Sequence, residues 1–340
     1  MDFSSDTSAP AHPKVLEALV AANDGNQPSY GNDAVTAQLR SALSRVLETD
    51  DFDVWLCASG TASNALALSC FCPPIGAILC HEEAHIARDE RGAPEFFSGG
   101  GKLQLLGGDG AQIDETELRS ALSRIDRGFV HETPAHVLSL TNLTESGTAY
   151  PVEQIRHYAA LAKEADLTVH LDGARLANAL VSTGASAAEM SWKAGVDVLC
   201  LGLTKTGAIG CEIIILFGAA RAKFGALKAR AKRSGHMPPK MRYLGAQALA
   251  MFEDDLWLKL AATANQRARE ASNLLCKHPG TKLVHPVQGN EIFVRLDEDL
   301  VKRLKDAGAT FYPWLDDSHR LVTSWATGAD TIKRLASIVG

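Results

Sequence analysis

Two segments of this chain hold residue types suited to covalent amine chemistry. Asp172 stands in the run Asp172-Gly173-Ala174-Arg175, and Lys205 closes the run Gly202-Leu203-Thr204-Lys205. A lysine amine forms an imine with an aldehyde. A carboxylate keeps a pyridine nitrogen protonated, so that the ring accepts electrons. Together they make the protein's part of a pyridoxal phosphate (PLP) site, in which the cofactor carries the difficult bond breaking. On residue types alone, the pair also reads as an Asp capping a helix that begins at Gly173 and a lysine on a solvent-facing turn.

The cofactor's phosphate needs an anion cradle, and Ser59-Gly60-Thr61-Ala62 offers one. The segment follows an apolar run and opens a helical stretch. A helix N-terminus presents free N–H groups and a partial positive charge. Gly60 lets the backbone approach closely, and Thr61 adds a hydroxyl. An ordinary helix cap has the same composition, so the segment gains meaning only beside Asp172 and Lys205.

A fourth segment runs from His81 to Glu90, His-Glu-Glu-Ala-His-Ile-Ala-Arg-Asp-Glu. His85 and Asp89 are spaced to share one face of a helix. A histidine on the cofactor ring, held by a carboxylate, is an acid/base unit. His81 and His85 also satisfy H-E-x-x-H, the spacing of a zinc pair, but no third ligand lies at a telling distance. The plain alternative is a helix surface with satisfied histidines.

The elements that must position these groups alternate in type. Short apolar runs at Val54–Cys57, Ala77–Cys80, Leu103–Leu106, Val137–Leu140, Leu167–Leu171, Val198–Leu203 and Glu212–Phe217 predict strands. Helical spacing predicts helices over Pro13–Asn23, Asp33–Glu48, Ala62–Phe71, Asp114–Ile125 and Val152–Glu164. Such alternation indicates an α/β fold with a mainly parallel sheet and helices on both faces. Ligands bind at the carboxyl ends of such strands, where Asp172 and Lys205 fall. After about residue 245 the pattern changes. A long helix over Asp255–Cys276 precedes a strand, strand, helix, strand series that suits a small α+β domain. The expected division is 1–245, N-terminal arm and large domain, and 246–340, small domain.

Bulk properties agree. With 340 residues, 46% of them hydrophobic, the chain can bury two cores. A net charge of -6 with scattered Lys and Arg leaves no footprint for nucleic acid or an anionic membrane. The N-terminus lacks the pattern of a signal peptide, and no apolar run is long enough to span a membrane. Seven cysteines, mostly within apolar runs and without C-x-x-C, read as free thiols in a reducing, cytoplasmic compartment.

With these residues assembled, the sequence resembles the low-specificity L-threonine aldolases, especially a bacterial branch that includes threonine and phenylserine aldolases. The resemblance spans nearly the whole chain. It rests on Ser5-Asp6, Tyr30-Gly31-Asn32-Asp33, Ser59-Gly60-Thr61, His81 to Glu90, Gly92 to Phe97, Asp172 to Arg175, Ser191 to Asp197, Gly202 to Lys205 and Lys240-Met241-Arg242. It implies the aspartate-aminotransferase-like fold (fold type I) of PLP enzymes. The implied activity is retro-aldol cleavage of threonine, allo-threonine or phenylserine-like substrates to glycine and an aldehyde. By resemblance, Lys205 is the Schiff-base lysine, Asp172 serves the pyridine nitrogen, Gly60 and Thr61 hold the phosphate, and His85 stacks on the ring. Ser5, Arg175 and Arg320 would bind the substrate carboxylate, with Arg175 also beside the cofactor. Arg242 would reach the phosphate from a neighbouring subunit, in a homodimer or a homotetramer of two such dimers.

One stretch departs from the family. Many members carry a second active-site histidine in a segment like L-E-N-T-H-N-G. Here the chain reads Leu140-Thr141-Asn142-Leu143-Thr144-Glu145-Ser146-Gly147, as in the bacterial branch. The catalytic base is then His85 with Asp89, acting directly or through a water, and Glu145 is the weaker candidate. A β-eliminating lyase or racemase on the same cofactor cradle, a metal-dependent hydrolase using His81 and His85, and a silent PLP-binding protein are the competing readings.

Overall fold

The computed structural model describes all 340 residues. Seven strands form the large sheet: β1 (Phe52–Cys57), β2 (Ala77–His81), β3 (Lys102–Leu106), β4 (Ala135–Thr141), β5 (Thr168–Gly173), β6 (Val198–Gly202) and β7 (Glu212–Phe217). Their spatial order is β1-β7-β6-β5-β4-β2-β3. β3, β2, β4, β5 and β6 run parallel, and β7 is antiparallel to both of its neighbours, β6 and β1. Two reversals restore direction, so β1 points the same way as β6. The carboxyl ends of β1, β2, β4, β5 and β6, and the start of β7, therefore share one edge of the sheet. The segments at Ser59–Ala62, His81–Glu90, Asp172–Arg175 and Lys205 all leave from that edge.

Helices cover the sheet, so its central strands are continuous apolar runs rather than alternating ones. Ile213 to Leu216 of β7 are fully buried. The helix Gly60–Phe71 is buried nearly all round, from Ala62 to Ser69, and packs against β4 to β7. Ser59 caps it, its Oγ accepting from the Ala62 amide at 3.3 Å.

A second sheet, β10 (Tyr312–Pro313), β11 (His319–Val322), β9 (Glu291–Arg295) and β8 (Lys282–Leu283) in spatial order, is antiparallel throughout. It has its own core of Ile292, Val294, Leu300, Leu304, Leu321 and Leu335. The long helix Leu256–Leu275 serves both cores. Leu256, Trp257 and Leu260 belong to the large one, and Ala268, Ala271 and Leu275 to the small one. The division expected at residue 245 falls inside the helix Arg242–Phe252, whose Ala248, Ala250 and Met251 are buried in the large core. The cores part further on, midway along the long helix. The N-terminal arm, expected with the large domain, lies against the small one. Phe3 is fully buried there, donating its amide to Thr310 O and accepting from Val322 N, both at 2.8 Å.

Candidate active site

Asp172 ends β5 and is 4% exposed. Its Oδ1 accepts from the Ala174 amide at 3.0 Å, and its Oδ2 from Asn64 Nδ2 at 2.8 Å. The first bond is local but caps no helix, because the next helix starts only at Leu176, with Arg175 at its N-cap. The second is tertiary and comes from the helix Gly60–Phe71. Asn64 Nδ2 also donates to Glu90 Oε1 at 2.9 Å, and that same oxygen lies 2.8 Å from His85 Nδ1. A carboxylate only accepts, so Nδ1 carries the proton and the neutral imidazole presents Nε2 as its basic atom.

His85 is thus held by Glu90 and not by Asp89. The helix His85–Arg88 is a single turn, and the chain leaves it at Asp89. Asp89 is exposed, and its amide donates to His85 O at 2.8 Å, which ends the helix. The i,i+4 spacing assumed a longer helix than the chain makes. The side chain that turns inward is the next one, Glu90, which is 3% exposed. Burial opposes charge on His85, but the Glu90 hydrogen bond and the Glu145 and Asp172 carboxylates raise its pKa above the usual value. Burial, with Asp172 nearby, also raises the Glu90 carboxyl.

The zinc reading fails on the same geometry. His81 closes β2 rather than sharing a helix face with His85. Its Nδ1 accepts from the Glu83 amide and its Nε2 meets Gly108 O, both at 3.0 Å.

Lys205 sits half-buried on the turn that follows β6. Leu203 O accepts from the amides of Thr206, Gly207 and Ala208, which fixes the loop. Thr204 Oγ1 donates to Glu212 Oε1 and accepts from the Cys211 amide at 3.1 Å. Glu212 starts β7 opposite Gly202. A Cβ at Gly202 would stand 2.7 Å from Ala174 Cα and 2.8 Å from Glu212 Oε2, so only glycine lets these segments meet. Burial pushes the Glu212 carboxyl up to about 7; Lys205 draws it down and Asp172 raises it further. Asp172 and Lys205 therefore act on one buried acid from neighbouring parallel strands.

Arg175 precedes the helix Leu176–Thr183 and is 6% exposed. Its Nε and Nη2 donate to Asp6 Oδ2 and Oδ1 at 2.7 and 3.2 Å, and Nη1 lies 3.3 Å from Glu291 Oε2. Burial opposes both charges of the Asp6–Arg175 pair, yet mutual attraction wins. Asp6 is held below the usual carboxylate range, with help from Lys205, and Arg175 is raised. Ser5 caps the turn Asp6–Ser8 and shares a 2.8 Å bond with Thr7 Oγ1. Arg320, on β11, lies 4.8 Å over the Trp314 ring with its Nε buried and unbonded, and its charge acts on Glu291.

Gly60 and Thr61 open their helix as foreseen, and nothing stands within 4 Å of where a Gly60 Cβ would be. Arg242 lies apart, donating to Gly25 O at 3.0 Å and stacking over Tyr243, with Nε buried and unpartnered. No hydrogen bond or ion pair joins it to Lys205, Asp172 or the Gly60 helix of its own chain. Asn64, Glu90, Asp6, Glu212 and Glu291 escaped the sequence reading. Ser5-Asp6 and His81 to Glu90 were within quoted motifs, so Asp6 and Glu90 had a signal. Asn64, Glu212 and Glu291 had none.

The donor set suits pyridoxal phosphate. It supplies an amine on a fixed turn, a buried acceptor-only carboxylate for a protonated ring nitrogen, an open helix N-terminus for phosphate, and a tethered imidazole. Fold and site together define the class of fold type I PLP-dependent enzymes. An aspartate aminotransferase from Rhodobacter sphaeroides superposes with a TM-score of 0.71 over the whole of this chain and 93% of its own, at 20% identity. The model of the β-eliminating lyase family matches residues 2–299, and the chain belongs to that family. It is 38% identical to a low specificity L-threonine aldolase of Pseudomonas aeruginosa, over 98% of this chain and 95% of the relative. The threonine aldolase of Leishmania major shares its structure with a TM-score of 0.92 at 28% identity, over 99% and 98% of the two chains.

Proposed function

We propose that this chain cleaves the Cα–Cβ bond of threonine, allo-threonine and related β-hydroxy-α-amino acids such as phenylserine, releasing glycine and an aldehyde, with pyridoxal phosphate held at Lys205. The observation that carries the reading is the single amide of Asn64, which ties Asp172, the carboxylate for the ring nitrogen, to the Glu90–His85 pair at the same sheet edge as Lys205. When bound, pyridoxal phosphate supplies the sink for the electron pair left at Cα.

The chain's own residues do the rest. Lys205 provides the amine that fixes the cofactor. Gly60 and Thr61 hold its phosphate. Arg175 and Arg320 grip the substrate carboxylate and orient the bond that breaks, since a guanidinium meets a carboxylate through parallel hydrogen bonds. Ser5 adds a hydroxyl at that end. His85 accepts the β-hydroxyl proton at Nε2 while Glu90 stabilises the charge gained; such transfers contribute roughly 10²- to 10⁴-fold. Arg242, unbonded to its own site, completes the phosphate cradle of a second copy, so the working unit is a homodimer or a homotetramer of such dimers. All seven cysteines are free thiols, which suits a cytoplasmic enzyme. No helix is long and apolar enough to cross a membrane.

Protein purified with cofactor should be yellow, with an absorbance band that borohydride abolishes. It should release acetaldehyde from threonine, and Lys205→Ala should end both. Colourless protein that ignores the cofactor would sink the proposal. The family's description favours one second reading, β-elimination; pyruvate and ammonia in place of glycine and aldehyde would select it.

A further inference from the structure

Arg175 has five N–H donors. Asp6 takes two of them side-on, through Nε and Nη2, and Glu291 stands 3.3 Å from Nη1. The Nη1/Nη2 end of the fork is the part left for a further carboxylate. Asp6 is well provided for, with Arg175 and the Asn290 amide at 3.0 Å. Glu291 is not. Its side chain is 0% exposed, and neither of its oxygens accepts a hydrogen bond.

Four charged groups act on Glu291, each from a different segment. Arg175 comes from the segment ahead of its helix, Arg320 from β11, Asp6 from the N-terminal turn and Glu145 from the turn after β4. Lys205 reaches this set through its effect on Asp6. The turn that bears Glu145 is pressed onto Glu291. Gly147 has φ 71°, and a Cβ there would lie 3.2 Å from Glu291 Cβ. Three carboxylates thus meet two guanidiniums and the Lys205 amine. A substrate carboxylate on Arg175 would make four anions against three cations, beside the buried side chains of Arg175, Asp6 and Glu291. Proton uptake relieves that excess at least cost, at the carboxyl with the most burial and the fewest hydrogen bonds.

We propose that Glu291 is a positioning residue of the substrate-carboxylate pocket, taking up one proton as an amino-acid carboxylate settles on Arg175. The proton comes from solvent, the O–H bond at Glu291 is the only one formed, and none breaks in the substrate. Arg175 then faces the substrate with one competing anion, Asp6, in place of two. Burial has already pushed the Glu291 carboxyl up to about 7, with Arg175 drawing it down and Asp6 and Glu145 raising it. A further anion raises it again. The inference rests on Arg175 as the carboxylate site of the proposed aldolase.

The test is calorimetric titration of the holoenzyme at about pH 7.5 with glycolate, a carboxylate without an amine, in buffers of different ionisation enthalpy. Absorbance followed in parallel reports any protonation at Lys205. Wild type should take up a large fraction of one proton that absorbance does not account for, and Glu291→Gln almost none. The ratio of threonine KM in wild type to that in Glu291→Gln should rise from near one at about pH 6 to more than about threefold at about pH 8.5, with kcat little changed. The wild-type uptake needs no variant, and Glu291→Met repeats the comparison if the glutamine variant folds poorly. Glycolate binding without uptake, or equal uptake in the variants, overturns the proposal and leaves the aldolase reading standing. A wild type that neither binds glycolate nor cleaves threonine overturns both.

Discussion

Asn64 spends its amide on two buried acids at once, donating to Asp172 at 2.8 Å and to Glu90 at 2.9 Å. A neutral donor between two carboxylates lowers their mutual repulsion without adding a charge. It also couples Asp172 to the group behind His85.

Asn64→Ala should therefore hurt both ends. It leaves Glu90 and Asp172 facing each other with one fewer hydrogen bond each, at about 1–3 kcal/mol of stability per buried acceptor. Urea unfolding should show the loss, and dialysis should strip cofactor from the variant faster than from wild type. Unchanged stability and retention would count against the bridge.

Glu90→Gln separates the two candidate partners of His85. Because Glu90 raises the His85 pKa, the acid limb of the kcat profile in wild type should lie above the ordinary histidine value. Removing the charge should move that limb down and reduce kcat by about 10- to 100-fold. Asp89→Asn, at an exposed residue with no contact to the imidazole, should leave the profile in place. The reverse pattern would restore Asp89 to the role first expected from spacing.

Asp6→Asn tests the anchoring of Arg175. Removing one member of a buried ion pair leaves the other without its counter-charge, at about 3–5 kcal/mol. The fork also loses its fixed orientation. Threonine KM should rise about tenfold or more with a smaller change in kcat, measured beside a thermal melt.

Glu212 makes folding stability depend on pH. Its carboxyl ionises near 4.5 when unfolded and at about 7 when folded. Between those values the native state binds the extra proton, so this group's contribution is full below about 4.5 and is lost as pH rises through 7. The loss is on the order of 3 kcal/mol at its upper bound. Glu212→Gln keeps an acceptor for Thr204 and removes the titration. Its unfolding free energy should fall less between about pH 5.5 and pH 8.5 than that of wild type. Parallel curves for the two proteins would show that Glu212 stays ionised across the range.

The alternation of apolar runs and helical spacing was enough to read a mainly parallel sheet and to place Asp172 and Lys205 at strand ends, because side-chain periodicity is set by each element's own burial. The reversal of β7 was not legible. A strand buried on both faces, such as Glu212–Phe217, reads the same in either direction. The point where the two cores part leaves no mark in the pattern for a related reason: one helix, Leu256–Leu275, changes cores along its length without a break. The arm at residues 1–8 carries no periodicity at all.

By itself the sequence determined which residues are able to do chemistry and which elements carry them: Lys205 after β6, Asp172 at the end of β5, Gly60 and Thr61 at a helix start, His85 after β2. Those follow from local patterns of a few residues. The tertiary structure alone decided who partners whom. Glu90 rather than Asp89 holds His85 because a helix stops after one turn. Asp6 and Glu291 reach Arg175 from far along the chain because the arm and the small sheet fold onto the same edge. Hydrogen bonds and charges act over a few ångströms of space, and spacing along the chain fixes that distance only within one element.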